Sequence, residues 1–185
     1  MDRHFELTPE AAARGGFSLD LRATLTISVG RSLRLTLAVR NAGAAPARFE
    51  EALHSYFAVS DVTGVRVHGL EGTAYLDKTE SGTRKPGAEG KIAISAETDR
   101  VYLEPAATVT IEDPGWNRRV VVSKIASATT VLWNPWVAKA RAMPDFGDDE
   151  WPRMLCVETA NVGEAAPTLA PAATHVMTAT LGVEP

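Results

Sequence analysis

The chain predicts an all-β sandwich, on three observations. Two runs alternate strictly between apolar and polar residues, many further short apolar runs are punctuated by Gly, Pro, Asp or Asn, and only one short stretch has helical character. In the first run Leu19, Leu21, Ala23, Leu25, Ile27 and Val29 are apolar, and Asp20, Arg22, Thr24, Thr26 and Ser28 separate them. After Gly30-Arg31 the alternation resumes with Leu33, Leu35, Leu37 and Val39. Period two in two runs joined at a glycine is a β-hairpin with one buried face, and Gly30 is expected at positive φ in its turn.

The remaining elements follow in order. "NAGAAPA" (41–47) is a loop by composition. A strand over 48–59 places Phe49, Leu53, Phe57 and Val59 on one face and Glu50, Ala52, His54 and Tyr56 on the other. Shorter strands are expected at 64–69, 73–77, 91–96, 100–103, 107–112, 118–124 and 129–133, with "KTESGTRKPGAEGK" an exposed connection. "PWVAKARAM" (135–143) suits a short helix that "PDFGDDEWP" ends, and strands return at 153–160 and 174–182. There is no internal repeat, so residues 1–185 read as a single domain in which 1–16 remain unassigned.

Composition narrows the function. The net charge of −4 comes without any basic run, which argues against a nucleic-acid partner, since phosphate contacts need clustered Lys and Arg. No apolar stretch reaches the length of a membrane span, and the N-terminus lacks the apolar core of a signal peptide. The lone Cys156 cannot form an internal disulfide, which fits a reducing, cytoplasmic setting. No Cys/His spacing matches a zinc motif, and there is neither a phosphate-cradling glycine loop nor a nucleophile elbow, so no metal or cofactor is expected.

Individual residues carry less. His54 alone fits a satisfied structural histidine as well as an active one. Glu158 shares a strand face with Met154 and Cys156, so it must lose water unless it serves a partner or a site; the bland alternative is a strand-end glutamate reaching solvent. "LWNPW" sets Trp133 and Trp136 around Asn134-Pro135, an arrangement suited to stacking on sugar rings or to plugging a core. Asp99-Arg100 fits an ordinary ion pair or turn, and Cys156, without cationic neighbours, reads as a small buried hydrophobe.

Six segments in order change this balance: "ALHSYFAVSD" (52–61), "VRVHGLEGTAYLDK" (65–78), "ETDRVYL" (97–103), "VLWNP" (131–135), "MPDFGDDEW" (143–151) and "MLCVETAN" (154–161). Together they resemble the glucose-6-phosphate 1-epimerases, the D-hexose-6-phosphate mutarotases of the galactose mutarotase-like superfamily, from about residue 17 onward. The resemblance implies a two-sheet sandwich with a sugar on its concave face. It implies His54 as the general acid at the ring oxygen and Glu158 as the general base at the anomeric hydroxyl. Asp99 is implied to bind sugar hydroxyls, with Trp133 and Asn134 as further substrate-binding positions.

The implied chemistry needs one acid and one base, with no metal or redox cofactor. An unperturbed histidine is only about a quarter protonated at pH 7. A neighbouring carboxylate is expected to favour its charged form, with Glu158 ionised. The implied ligand is a hexose 6-phosphate. A neutral aldose, or a non-catalytic sugar-binding or assembly role on the same scaffold, remains an alternative. The family pattern also includes N-terminal strands, a further histidine and phosphate-holding arginines that nothing upstream of Phe17 matches. The expectation is therefore an N-terminally truncated sandwich with open sheet edges that self-associate.

Overall fold

Leu25 and Leu37 face each other across the first hairpin, as do Ile27 and Leu35, so the alternation read from the sequence becomes one continuous apolar face. The computed structural model describes residues 1–7, 9–14, 20–103 and 108–185; Leu19 and residue 107, included in the predicted strands, lie outside the described residues. In chain order the elements are β1 (Asp2–Leu7), α1 (Pro9–Arg14), β2 (Leu21–Val29), β3 (Leu33–Asn41), β4 (Ala47–Arg48), β5 (Glu51–Leu53), β6 (Tyr56–Ala58), β7 (Arg66–His68), β8 (Tyr75–Asp77), β9 (Thr83–Lys85), β10 (Thr98–Tyr102), β11 (Val109–Asp113), β12 (Arg118–Ile125), β13 (Thr129–Asn134), α2 (Trp136–Ala142), β14 (Met154–Asn161), β15 (Thr168–Leu169) and β16 (Thr174–Glu184).

Two antiparallel sheets form the sandwich. One runs β1-β2-β3-β16-β12-β11-β7, and the other runs β5-β14-β13-β10-β8-β9 with β6 also paired to β14. Val67, Val109, Ile111, Val120 and Val122 of the first sheet pack on Tyr102, Leu132, Leu155 and Val157 of the second, and all are buried. A second cluster sets Leu53 against Met177 and Ala179. Burial of this kind contributes roughly 25 cal/mol per Å² of apolar surface, which is what holds the sheets face to face. A polar rivet joins them at one end: the buried Glu51 Oε1 accepts from Asn161 Nδ2 at 2.7 Å and lies 2.9 Å from His175 Nε2.

Several expectations change. Residues 48–59 form three short strands, because β4 leaves the main sheet to pair with β15 and the ladder lapses at His54-Ser55. Residues 91–96 contribute only a bridge between Ile92 and Val67. The polar connection after residue 77 contains β9, which pairs with β8. The unassigned N-terminus supplies β1, in full register with β2. Gly30 is not among the residues with positive φ; Val29 opposes Leu33, so a three-residue turn with a Gly30 N–H to Ser32 carbonyl bond closes the hairpin without it.

Candidate functional site

Register assembles the site. Leu53 opposes Thr159 and Tyr56 opposes Cys156, so the pairing of β5 and β6 with β14 keeps one register across the gap and places His54 opposite Glu158. Opposed residues point to the same face of a sheet. Glu158 in turn opposes Val131, Val131 opposes Val101, and Val101 opposes Leu76. One row over, Tyr56, Cys156, Trp133 and Asp99 are linked in the same way. All lie on the face turned away from the core.

That face carries an open cavity of about 340 Å³. His54, Glu158, Asp99 and Trp133 line it, together with Glu50, Lys78 and the apolar Leu76, Val101 and Val131. His54 Nε2 is 3.2 Å from Glu158 Oε1, with the histidine side chain half exposed and the glutamate buried. Glu158 therefore does not reach water as a strand-end glutamate. Its ring partner is held from the side: His54 stacks on Tyr56 at 4.9 Å and 17°, and meets the Trp133 indole edge-on at 5.8 Å. Lys139, from α2, sits 3.6 Å from Asp99 and over the Trp133 ring.

Burial sets the electrostatics. It pushes the Glu158 carboxyl up to about 7, with the nearby negative charge of Asp99 adding to the rise. Burial also lowers His54, against the opposing effects of a hydrogen bond with its own backbone and of Asp99. This reverses the expected charge-assisted pair: desolvation outweighs mutual attraction, and both groups are biased toward their neutral forms. The buried Cys156 thiol is raised by burial and by Glu158, which suits an inert side chain better than a nucleophile.

Of the five site residues predicted, four come together. Asn134 does not: it is the residue after Trp133 on β13 and therefore points to the opposite face. It is fully buried there, donating from Nδ2 to the Trp151 and Met154 carbonyls at 2.8 and 2.9 Å and accepting the Trp136 N–H at 2.9 Å. Trp136 goes the same way, packing on Trp151 at 4.3 Å between ring centres. Sequence reasoning did not single out Lys78, Glu50, Tyr56 or Lys139. Lys78 opens the 3₁₀ turn Lys78–Glu80 just after β8, so strand parity gave no signal for it. Lys139 reaches the site from a helix, and no strand period points to it.

Comparison with known proteins gives a consistent result. The family model described as aldose 1-epimerase matches residues 2–181. A protein of Cenchrus ciliaris named as a glucose-6-phosphate 1-epimerase is 39% identical over 147 residues, covering 78% of this chain and 45% of its own. One of Salmonella typhimurium with the same name is 34% identical over 155 residues, covering 84% and 51%. The chain thus spans about half the length of these curated relatives. A solved structure from Salmonella typhimurium, named as a mutarotase, superposes with a TM-score of 0.87 at 29% identity, over 98% of this chain and 60% of that one. A galactose mutarotase related enzyme from Lactobacillus acidophilus superposes at 0.75 with 10% identity, over 100% and 67%, and shows the shared fold alone. No helix among the described residues is long and apolar enough to cross a membrane. The sandwich is galactose mutarotase-like, and the chain belongs to the aldose 1-epimerase family.

Proposed function

We propose that this chain carries the acid–base centre of an epimerase that interconverts the α and β anomers of a hexose 6-phosphate by opening the pyranose ring. The observation that carries the reading is the convergence of His54 and Glu158 from opposed strand positions at one end of a cavity of about 340 Å³. The anomeric and ring oxygens are bonded to the same carbon. An acid and a base that serve them must therefore be neighbours, as this pair is.

In the proposed cycle Glu158, ionised, takes the proton of the anomeric hydroxyl while His54, protonated, delivers one to the ring oxygen. The O–H electron pair becomes the second bond of the aldehyde, and the bond from the anomeric carbon to the ring oxygen breaks. Rotation about the adjoining carbon–carbon bond presents the other carbonyl face, and reclosure returns both protons. The pair needs one proton between them; burial favours it on Glu158 before sugar binds, so the proposed cycle begins with its transfer across the 3.2 Å contact to His54. Displacement of water by sugar leaves the transfer geometry to the strands, a source of rate through orientation. Asp99 is proposed to accept from sugar hydroxyls, with Lys139 limiting its freedom, and Trp133 to offer a ring edge or face to the sugar C–H groups.

Two features support a phosphorylated over a neutral sugar: the names of the relatives and Lys78, a cation among the lining residues. A cytoplasmic setting is proposed from the free Cys156 thiol. The test is anomer exchange of glucose 6-phosphate followed by magnetisation-transfer NMR. His54→Asn and Glu158→Gln should each lower the catalysed rate by about 10²–10⁴-fold, the usual worth of a positioned acid or base. Wild-type exchange no faster than buffer would support instead the non-catalytic sugar-binding reading.

A further inference from the structure

We propose that one thiophilic divalent cation of the Zn²⁺ class binds at the cavity wall, on His54 Nε2 and the Glu158 carboxylate, which line the cavity, and on the buried Cys156 Sγ beside them, and that this ion and the sugar exclude each other. The ligand atoms of these three residues lie within 4.8 Å of one another, and among the described residues they are the group so disposed. Linear spacing gave no hint of it, because the register of three strands assembles the set. Glu158 and Cys156 are two apart on one face of β14, and His54 arrives from the opposite strand.

The donor set is one that such an ion takes. With metal–N and metal–O bonds near 2.0–2.2 Å and tetrahedral angles, two ligand atoms sit about 3.4 Å apart. The observed 3.2 Å between His54 Nε2 and Glu158 Oε1 is close to that edge. The three donors lie within 4.8 Å of one another, a span wider than that edge, so they close on the ion as it binds, with the His54 ring moving in the plane its Tyr56 stack leaves open. Three protein ligands leave a fourth position open to the cavity, where water would complete the sphere. Glu50 and Asp99 also face the cavity, with Lys78 in the same lining and Lys139 3.6 Å from Asp99, so the donor set rather than the net charge of the lining is what favours the ion. The thiolate selects Zn²⁺ or Cd²⁺ over the hard Mg²⁺ and Ca²⁺.

The step is a proton-for-metal exchange without redox change. The thiol releases its proton to buffer, the carboxyl releases any it carries, and sulfur, nitrogen and oxygen lone pairs form the new bonds. Binding stands on these side chains alone. The exclusion of sugar rests on the function proposed above, because the ion occupies both groups that would bracket the anomeric carbon.

The experiment uses the full chain stripped by a chelator and titrated with Cd²⁺, whose bond to a thiolate gives an ultraviolet charge-transfer band. Calorimetry with Zn²⁺ in two buffers of different ionisation enthalpy counts released protons. Expected are one ion per chain, the thiolate band, and release of at least one proton. The band should vanish in Cys156→Ser and Cys156→Ala, and affinity should fall at least tenfold in His54→Ala, whose exposed ring can be lost without opening the core. Absence of the band in wild type, or affinity unchanged in His54→Ala, overturns the site. Circular dichroism of each variant separates lost binding from lost fold. Glucose 6-phosphate should weaken Cd²⁺ binding; a sugar-independent affinity overturns the exclusion, whether or not anomer exchange is catalysed.

Discussion

Replacing Asn134 by alanine separates a residue that touches substrate from one that holds the scaffold. The amide is fully buried and makes three hydrogen bonds with backbone groups, two donated to the Trp151 and Met154 carbonyls and one accepted from the Trp136 N–H, besides a weaker contact with Met154 Sδ. Alanine leaves all three groups without this partner in a place water reaches poorly. Each orphaned buried group costs about 1–3 kcal/mol. Because one side chain serves all three and some regain other partners, the total expected is about 3–5 kcal/mol, near the top of the range for single substitutions. For a chain of this length that corresponds to a loss of roughly 10 °C in Tm. Thermal and denaturant unfolding measure it directly, and anomer exchange below the transition measures KM on the folded population. The expected result is a large drop in stability with KM within about twofold of wild type, the scatter allowed for a residue without substrate contact. A stable Asn134→Ala protein with a KM raised tenfold would refute the buried-anchor account and return Asn134 to the sugar.

Other predictions concern the site and the edge. In chelator-treated protein, Glu158 in the folded state binds its proton up to about pH 7, against 4.5 for its ordinary value, so the folded state holds the extra proton between those limits and stability falls as pH rises through them. Glu158→Gln cannot ionise, so its advantage over wild type in denaturant titrations should grow from near zero at pH 4.5 to about 3 kcal/mol above pH 7; parallel curves would contradict the raised carboxyl. Lys78→Met should raise KM for glucose 6-phosphate about fivefold, the worth of one exposed charge contact, and leave that for glucose unchanged in the same exchange assay. Tyr56→Ala should lower kcat up to about tenfold by freeing the His54 ring, while Tyr56→Phe, which keeps the stack, should not. Among the described residues the β1 strand is a sheet edge with Phe5 56% exposed, so sedimentation should show concentration-dependent self-association that Phe5→Lys abolishes.

Strand parity made most of the site legible. Grouping Ala52, His54 and Tyr56 on one face and Met154, Cys156 and Glu158 on another already separated the cavity side from the core side, because side chains alternate with period two. Which strands neighbour each other is a different kind of information. The pairing of β14 with β13 joins residues close in sequence, but its pairing with β5 and β6 closes a loop of about a hundred residues that no local pattern encodes. Lys139 shows the same limit. It lies on a helix predicted only as a helix, yet it reaches Asp99 and Trp133. Asn134 shows the reverse failure: a motif resemblance carried it into the site with Trp133, although adjacent residues on a strand cannot share a face.

The lapse in the ladder at His54 has a physical reason that fits the proposed chemistry. A histidine in an unbroken central strand would be fixed at the backbone and flanked on both sides, as Glu158 is between β13 and the β5–β6 edge. At the lapse, register persists while two residues give up their pairing, so the ring stays opposite its carboxylate yet remains half exposed. The asymmetry suits a pair that must exchange protons with a ligand. The buried partner is positioned by two neighbouring strands and has its proton affinity raised by desolvation, and in the proposed cycle the exposed partner would follow the ring oxygen as the sugar opens. The Tyr56 stack then limits that motion to the ring plane. A sheet that paired continuously through residue 54 would gain backbone hydrogen bonds and fix the ring of the proposed acid, so on that reading the interruption belongs to the site and the register on either side keeps the ring opposite Glu158.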